Sequence, residues 1–175
     1  MRNRHGQVVT TAVTNMDIHD IARSCKTFGI KKYFLMTPIK VQHELVERIL
    51  GHWRTEKSRL YHPDRFEAIS LVGLAHSFQE VKDEIEREEG EAPEVVLTTA
   101  RVLPGAISYK SYRREVSCGR KKPCLLVFGT GWGVAEEFYS EVHKILMPIL
   151  GPGSEYNHLS VRSAVAIILD RLFGK

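Results

Sequence analysis

A glycine-rich segment offers the clearest chemistry in this sequence. Gly129, Gly131 and Gly133 stand at alternate positions directly after the apolar run 123–128, and a segment of helix-forming residues follows at 134–138. The pattern predicts a buried strand, a tight turn and a helix. This is the arrangement by which α/β proteins present backbone N–H groups to a ligand at the carboxyl ends of their strands.

The spacing of these glycines excludes two common phosphate-binding motifs. It is not the G-x-G-x-x-G of dinucleotide-binding proteins, and no Gly-Lys-Ser/Thr follows, as a P-loop requires. A turn that needs glycine only for its backbone dihedral angles is the alternative. Trp132 favours a ligand site, because a large aromatic side chain on a glycine loop either packs inward or covers a ligand.

Two further segments carry side chains suited to binding. Thr98 and Thr99 stand at the carboxyl end of a predicted strand, where the ligands of parallel sheets bind. The stretch 101–122 is rich in Lys and Arg with Tyr109 and Tyr112 among them, a pattern that can hold RNA phosphates and stack on bases. A solvated charged surface is the alternative. The candidate RNA-binding residues are Arg101, Lys110, Arg113 and Arg114.

A helix predicted over 17–28 presents Arg23 away from its buried side. Asp17 is expected to cap the helix, and the residues at helical spacing that form its buried stripe are Ile18, Ile21, Ala22, Cys25 and Phe28. Arg23 lies off that stripe and is therefore available to a ligand. The alternative is a surface arginine paired with Asp20, which contributes little to stability.

Strands and helices alternate along the chain, which predicts the parallel sheet of an α/β protein. Strands are predicted at 8–13, 32–36, 68–74, 94–98, 123–128 and within 144–150. Helices are predicted at 17–28, from Thr37-Pro38 with Val41, Leu45, Ile49 and Trp53 buried, from Ser77 to Gly90, and at 159–172, with a loop over 54–67. Because residues 164–169 are apolar on every side of their helix, we expect a partner subunit to cover part of it.

Composition limits the class of protein. The 175 residues predict one domain, and no apolar run is long enough to span a membrane. The basic N-terminus lacks the apolar segment of a secretory signal. Three cysteines without C-x-x-C spacing are expected to be reduced thiols in a cytoplasmic protein that holds no zinc site. A net charge of +4 permits an anionic partner.

Three segments together resemble the SPOUT superfamily of RNA methyltransferases. They are Asp-Ile-His-Asp-Ile-Ala-Arg at 17–23, Phe-Gly-Thr-Gly-Trp-Gly at 128–133, and Tyr-Asn-His-Leu-Ser-Val-Arg-Ser-Ala at 156–164. The resemblance covers nearly the whole chain. It implies an α/β fold with a mostly parallel sheet, helices on both faces and a deep C-terminal trefoil knot. It also implies a homodimer that binds S-adenosylmethionine (SAM) within the knot.

The resemblance assigns the cofactor site residue by residue. The implied cofactor-binding residues form three walls: Thr98, Thr99 and Ala100; then Phe128, Gly129, Thr130, Gly131 and Gly133; then Leu150, Tyr156, Leu159, Ser160 and Ala164. Such small residues suit a pocket in which the main chain holds adenine. The spacing Asp17-x5-Arg23-x5-Gly29 is similar to the first motif of SpoU-type ribose methyltransferases, in which an Arg serves the chemistry. Asp17 and Arg23 are therefore the implied catalytic residues.

Two departures from the family pattern concern the first motif and the N-terminus. Asp17 stands where that motif usually has Asn, so both base and ribose methylation stay open. A strand with a His-Tyr-Pro-like turn is expected before Arg4 and is absent, so either the gene starts earlier or the sheet lacks that strand.

The sequence thus predicts a SAM-dependent RNA methyltransferase that acts on tRNA or rRNA. A non-catalytic RNA-binding protein that retains the knotted fold is the alternative. A nucleotide-binding oxidoreductase ranks third because the glycine spacing does not match.

Overall fold

The computed structural model of the protein describes residues 10–119, 122–131, 133–153 and 156–175. The chain divides into two compact units. One unit is Ala12–Val81, and the other is Lys82–Lys175 together with the N-terminal segment that ends at Thr11. The predicted single domain covering 1–175 stays a prediction. Trp132, Val8 and Val9 lie outside the described residues.

The first unit packs four helices around two parallel strands. Its elements are α1 (Asn15–Thr27), β1 (Tyr33–Met36), α2 (Lys40–Trp53), α3 (Glu56–Tyr61), α4 (Pro63–Ser70) and β2 (Val72–Ala75). β1 and β2 are parallel, with Tyr33 opposite Val72 and Met36 opposite Ala75. Their core is built of aliphatic side chains, among them Ile18, Ala22, Leu35, Val46, Leu50, Ile69 and Val72.

Helix α1 begins earlier than the sequence predicted. Thr14 is the N-cap residue, and its hydroxyl oxygen accepts a hydrogen bond from the Asp17 backbone N–H at 3.2 Å. The Asp17 carboxylate in turn accepts from the Thr14 backbone N–H at 3.0 Å, which completes a capping box. The prediction of Asp17 as the cap was therefore wrong, since a Thr-x-x-Asp pair moves the start three residues back. The buried stripe is confirmed for Ile18, Ile21, Ala22 and Cys25, whereas Phe28 is only half-buried and follows the helix as its C-cap.

The predicted inner face of α2 was wrong at its start. Val41 is 69% exposed and Leu45 is 42% exposed, whereas His43, Val46 and Leu50 are buried. His43 turns inward because its Nε2 lies 2.6 Å from the Thr37 carbonyl oxygen, a buried hydrogen bond. A pattern that counts only apolar side chains does not predict a polar residue that is buried in the core.

Two other predictions for this unit were also wrong. The stretch 54–67 holds helix α3 and the start of α4 instead of a loop, and 68–74 contains the end of α4 before β2 starts at Val72. Thr55 starts α3 by accepting a hydrogen bond from the Ser58 backbone N–H at 3.2 Å. Pro63 starts α4 at its first turn, where its missing N–H costs nothing. Caps rather than apolar periodicity define these short helices.

The second unit contains a three-stranded parallel sheet. Its elements are α5 (Phe78–Glu89), in which the boundary between the units falls, then β3 (Glu94–Thr98), α6 (Tyr109–Ser117), β4 (Cys124–Phe128), a 3-10 helix (Glu136–Glu141), β5 (Lys144–Ile145) and α7 (Val161–Phe173). The strand order is β4-β3-β5. Beyond β5, Ile107 forms a parallel bridge with Leu146.

The predicted fold class is confirmed as mixed α/β with parallel strands, but the strands form two sheets instead of one. Residues 10–13 form no strand, in contrast to the prediction for 8–13. β4 is half-buried along its whole length, because it is the edge strand of its sheet and not the central one. The helix predicted after the glycines is a 3-10 helix.

Helix α7 agrees with the prediction. Ser160 is its N-cap and accepts a hydrogen bond from the Ser163 backbone N–H at 3.2 Å. Its buried residues are Val165, Ile168, Leu169 and Leu172, and Ile168 and Leu172 pack in a core with Val96, Tyr112 and Leu146. In the described ranges, no helix combines the length and apolar content that a membrane crossing requires.

Candidate functional site

The ends of β3 and β4 bring the first two predicted walls of the cofactor site side by side. Thr98 is opposite Phe128 in the parallel register. The Thr98 hydroxyl donates to the Val127 carbonyl oxygen at 2.9 Å, so the threonine fastens the two strand ends together. The backbone of the next residues, Thr99 and Gly129, therefore leaves the sheet at neighbouring positions on its carboxyl edge.

The glycine loop folds back on itself directly after β4. The Gly133 backbone N–H donates to the Thr130 carbonyl oxygen at 3.1 Å, and both Gly131 and Gly133 have positive φ, 57° and 96°. A Cβ on Gly129 would lie 3.1 Å from the Val134 backbone nitrogen. By contrast, a Cβ on Gly131 or Gly133 would find its nearest atom at 3.8 or 3.9 Å. A side chain at Gly129 would therefore crowd the backbone of the loop, whereas Gly131 and Gly133 are needed for their positive φ.

The third predicted wall approaches the same sheet edge through one hydrogen bond. The Asn157 side-chain amide donates to the Ala100 carbonyl oxygen at 2.8 Å, which ties the segment before α7 to the end of β3. Three apolar members of this wall are exposed: Leu150 is 57% exposed, Tyr156 is 74% exposed and Leu159 is 47% exposed. Ser160 uses its hydroxyl to cap α7, one turn before Ala164.

Two half-open cavities within the described residues lie elsewhere. One of about 310 Å³ in the second unit is lined by Gly105, Ile107, Tyr139 and the segment 142–145, and one of about 360 Å³ in the first unit lies beside Arg54. Neither cavity is lined by the predicted cofactor residues. The predicted cofactor residues of the first two walls instead lie at an open edge of main chain and small side chains, where parallel sheets bind their ligands.

Arg101 lies beside the glycine loop. A Cβ on Gly133 would stand 3.9 Å from the Arg101 Nη2 atom. The Arg101 backbone N–H also donates to the Thr99 hydroxyl at 3.1 Å. A residue that was predicted only as an RNA contact therefore brings a positive charge to the edge of the predicted cofactor site.

The basic stretch contains helix α6, and its charged residues divide into two groups. Lys110 and Arg114 are exposed. The Arg113 guanidinium donates to the Gly174 carbonyl oxygen and so holds the end of α7. Local sequence could not indicate this partner, because Gly174 is 61 residues away.

The two tyrosines of this stretch were interpreted as base-stacking groups, and for Tyr112 this was wrong. Tyr112 is fully buried, and its hydroxyl lies 3.2 Å from Glu94 Oε2 and 2.8 Å from Cys124 Sγ. Its ring also faces the Lys144 ammonium. Tyr109 is half-buried against the Arg171 guanidinium, 5.0 Å from the ring centroid. Both rings serve packing inside the second unit.

The sequence reasoning missed a charged group next to Tyr112. Lys144 Nζ binds the Glu115 carboxylate and lies 3.5 Å from Glu94 Oε1. The hydrogen bond that its ammonium donates to the Glu115 carboxylate raises the pKa of this lysine. The network ties β5, β3 and α6 together, and no apolar pattern could have revealed it.

Arg23 and Asp17, the implied catalytic pair, both lie on α1. Arg23 is exposed in the third turn of the helix. The Asp17 carboxylate accepts from the Thr14 hydroxyl at 2.6 Å, so one of its functions is to cap the helix. Burial raises the pKa of Tyr33, and the Asp17 charge raises it further. In the described ranges, no group of three His, Cys, Asp or Glu is placed to hold a metal ion.

A family model described as "SAM-dependent RNA methyltransferase" matches residues 1–174 of this chain. An uncharacterised protein of Aquifex aeolicus is 42% identical over 173 residues, which are 99% of this chain and 83% of that protein.

Two further relatives are named tRNA (guanine-N(1)-)-methyltransferase. The protein of Oleidesulfovibrio alaskensis is 40% identical over 98% of this chain, and that of Nitratidesulfovibrio vulgaris is 39% identical over 94%. The chain spans 39% and 37% of the length of these two relatives.

Solved structures with this fold are methyltransferase-like proteins. A probable methyltransferase from Bordetella pertussis superposes with a TM-score of 0.62, covering 89% of this chain and 84% of that one, at 15% identity. A TrmH/SpoU tRNA modifying enzyme from A. aeolicus superposes with a TM-score of 0.55, covering 93% of this chain and 70% of that one, at 16% identity. At these identities the likeness shows the fold alone.

Proposed function

The chain belongs to the SAM-dependent RNA methyltransferase family, and we propose that its RNA substrate is a tRNA. The names of the two bacterial tRNA methyltransferases of about 40% identity support this choice. We do not assign the target nucleotide of these relatives to this chain, because the chain spans less than two fifths of the length of either relative. The N1 atom of guanine is therefore one candidate among several.

The observation that carries the assignment of the cofactor site is the pairing of the β3 and β4 ends. Thr98 and Phe128 are in register, and Thr99 and the glycine loop continue from them into exposed main chain. Because Gly131 and Gly133 carry no side chain, a ligand can approach the backbone of the loop closely. We assign the predicted cofactor residues of all three walls to SAM, which supplies an electrophilic methyl group on its sulfonium when bound.

The strand order supports the proposed trefoil knot. The Leu146 backbone N–H donates to Leu97 and the Met147 backbone N–H donates to Ile107, both at 2.9 Å. The chain at 146–147 thus lies between two segments that precede β4 in sequence. Together with the Asn157 hydrogen bond to Ala100, this pairing supports the proposed knot.

We propose that the protein is a homodimer in the cytoplasm. On α7, Ala166 and Ile167 are half-buried, so apolar atoms of this helix remain partly accessible in one chain. A second copy would cover them. Sedimentation of the pure protein should give about twice the mass of one chain, and a monomer at micromolar concentration would contradict the dimer.

For the chemistry, we propose that Arg23 positions the RNA. A guanidinium stays protonated, so it clamps a phosphate or polarises the attacking hydroxyl or amine, and it does not remove the proton. Asp17 holds the start of α1, which sets the position of Arg23 six residues further on. Orientation of the two reactants is what the protein must contribute, since the methyl group is already activated.

The test is methyl transfer from labelled SAM to RNA. We expect label in unfractionated tRNA from a strain that lacks the gene, and little label in rRNA from the same strain. Label only in rRNA would contradict the tRNA proposal and would identify rRNA as the substrate. Tight tRNA binding without transfer, under conditions where SAM binds, would favour the non-catalytic RNA-binding alternative.

A further inference from the structure

A cluster of basic and aromatic side chains surrounds Trp53 in the first unit. The Arg65 guanidinium lies over the indole ring, 4.6 Å from the ring centroid. His19, His52 and His62 meet the same ring edge-on, with centroids at 5.4, 5.1 and 5.9 Å. The indole is itself packed against the core of this unit. The cluster therefore stands on a fixed base.

The environment of His19 is unfavourable for a positive charge. Burial lowers the pKa of the imidazole, and the charges of Arg65 and Arg23 lower it further, while Asp20 opposes them. The His19 Nδ1 atom is buried and has no hydrogen-bond partner within the described residues. Such an atom destabilises the fold, so a gain in stability does not explain the position of this ring.

One of the nearby acidic groups is already neutralised by a cation other than the arginines. Glu67 of α4 is already bound to Lys26 of α1, with 2.9 Å between the charged atoms. Arg23 and Arg65 are both exposed, on the two helices that pack together. Positive groups gathered around a half-buried histidine repel one another, and an anion would relieve that repulsion.

We propose that His19, Arg23, Trp53, His62 and Arg65 form an RNA-binding surface that contacts backbone phosphates. The inference rests on the proposed function for the identity of the RNA, and it is separate from the predicted contacts at 101–122. Arg65 is the central residue. Stacking on the indole fixes the plane of its guanidinium, so that the N–H fork can meet two phosphate oxygens at little entropic cost.

The planar geometry distinguishes this surface from a merely charged one. Lysine in place of Arg65 retains the positive charge but loses both the stacking and the fork. A contact that depends on charge alone would tolerate Arg65→Lys, whereas a contact that depends on the stacked guanidinium would not. Arg59 offers a matched control, because it is exposed on the neighbouring helix α3 and paired with Glu56 at 3.6 Å.

The experiment measures binding of unfractionated tRNA to the full chain over a range of salt concentrations. We expect Arg65→Ala to weaken binding about tenfold at low salt and to lower the slope of log affinity against log salt by about one. Arg65→Lys should recover part of the salt slope but little of the affinity. Arg59→Ala should change neither by more than about twofold. SAM affinity and the thermal unfolding midpoint should be the same in all four proteins.

Failure of this surface and failure of the proposed function give different results. If wild type methylates tRNA while Arg65→Ala and Arg59→Ala bind tRNA equally well, the surface is overturned and the function stands. If wild type transfers no methyl group but Arg65→Ala alone loses tRNA affinity, the surface stands and the enzymatic function fails. Equal losses in Arg65→Ala and Arg59→Ala would show a general charge effect and would also overturn the surface.

Discussion

The two pairs of parallel strands end in opposite ways. At the carboxyl end of β1 and β2, Thr37 is buried and its carbonyl oxygen is bound by the His43 ring. His43 in turn stacks on His76, with ring centroids 3.7 Å apart and planes 5° from parallel. At the carboxyl end of β3 and β4, the chain continues into small, partly exposed residues and a glycine loop.

The difference shows what makes a strand end able to bind a ligand. The strands are parallel in both units, so each pair ends at an edge of its own sheet where a ligand could bind. In the first unit, imidazole rings occupy that space and satisfy the backbone. In the second, glycine leaves the backbone accessible from outside. The strand pairing is the same at the two ends. What distinguishes the proposed cofactor edge of β3 and β4 from the closed end of β1 and β2 is therefore the absence of side chains.

The largest effect that we expect is a loss of methyl transfer without a loss of SAM binding when Arg23 on α1 is replaced. Arg23→Ala should lower the methyl-transfer rate by about 10²–10³-fold, the range for loss of a well-placed cationic or hydrogen-bonding group. Arg23→Lys should be nearly as slow, because it lacks the planar fork. SAM affinity measured by calorimetry should not change in either variant. Arg48→Ala, which removes an exposed arginine from α2, is the control, and turnover of Arg23→Ala near that of the control would return Arg23 to a surface charge.

A second prediction tests whether backbone access defines the cofactor edge. Gly129→Ala places a methyl group 3.1 Å from a backbone nitrogen, so the loop must shift, at a cost of about 1–3 kcal/mol. SAM affinity should fall by at least about tenfold, measured by calorimetry. Gly51→Ala is the matched change in α2, where nothing lies within 4 Å of the added atom, and it should stabilise the protein by up to about 1 kcal/mol. Unaltered SAM binding in Gly129→Ala would place the cofactor elsewhere.

The third prediction concerns the closed strand end. His43→Phe retains a ring that can stack on His76 but leaves the buried Thr37 carbonyl without its hydrogen bond. The free energy of unfolding in urea should fall by about 1–3 kcal/mol. SAM affinity should stay at the wild-type value. A loss of SAM affinity in this variant, with the fold intact, would break the contrast between the two strand ends.

The smallest effects compare two helix caps. Thr14→Ala and Ser160→Ala each remove an N-cap hydroxyl, from α1 and α7, and each should cost about 1 kcal/mol in unfolding free energy. If Ser160 also contacts SAM, its variant alone should lose affinity, by about three- to tenfold. Equal SAM binding in the two variants would assign Ser160 to the helix only.

Local patterns sufficed for several elements of this fold. The alternation of apolar residues with turns placed β3 and β4 correctly, because both strands carry a continuous apolar run that ends in turn-forming residues. The stripe of α1 from Ile18 to Cys25 and the cap at Ser160 were also predicted, since each depends on residues within one or two helical turns. The mixed α/β class follows from the same patterns.

Other features depend on residues far apart in the chain. His43 rotates the inner face of α2 because of a carbonyl on the preceding loop, and Tyr112 is buried because Glu94 and Cys124 accommodate its hydroxyl. The order β4-β3-β5 with Ile107 outside it is a property of long-range pairing. Loops of any sequence can close such pairings at similar entropic cost, so local sequence carries little information about them.

The sequence alone predicted which residues bind a cofactor: the glycines after β4 and the threonines at the carboxyl end of β3, whose small size and position are local properties. Only the tertiary structure decided which of the basic residues remain exposed. Arg113 holds the end of α7, Arg65 is fixed on Trp53, and Arg101 stands beside the glycine loop. An arginine side chain has the same charge and hydrogen-bonding groups in each case, so its function depends on the partner that the fold brings within reach.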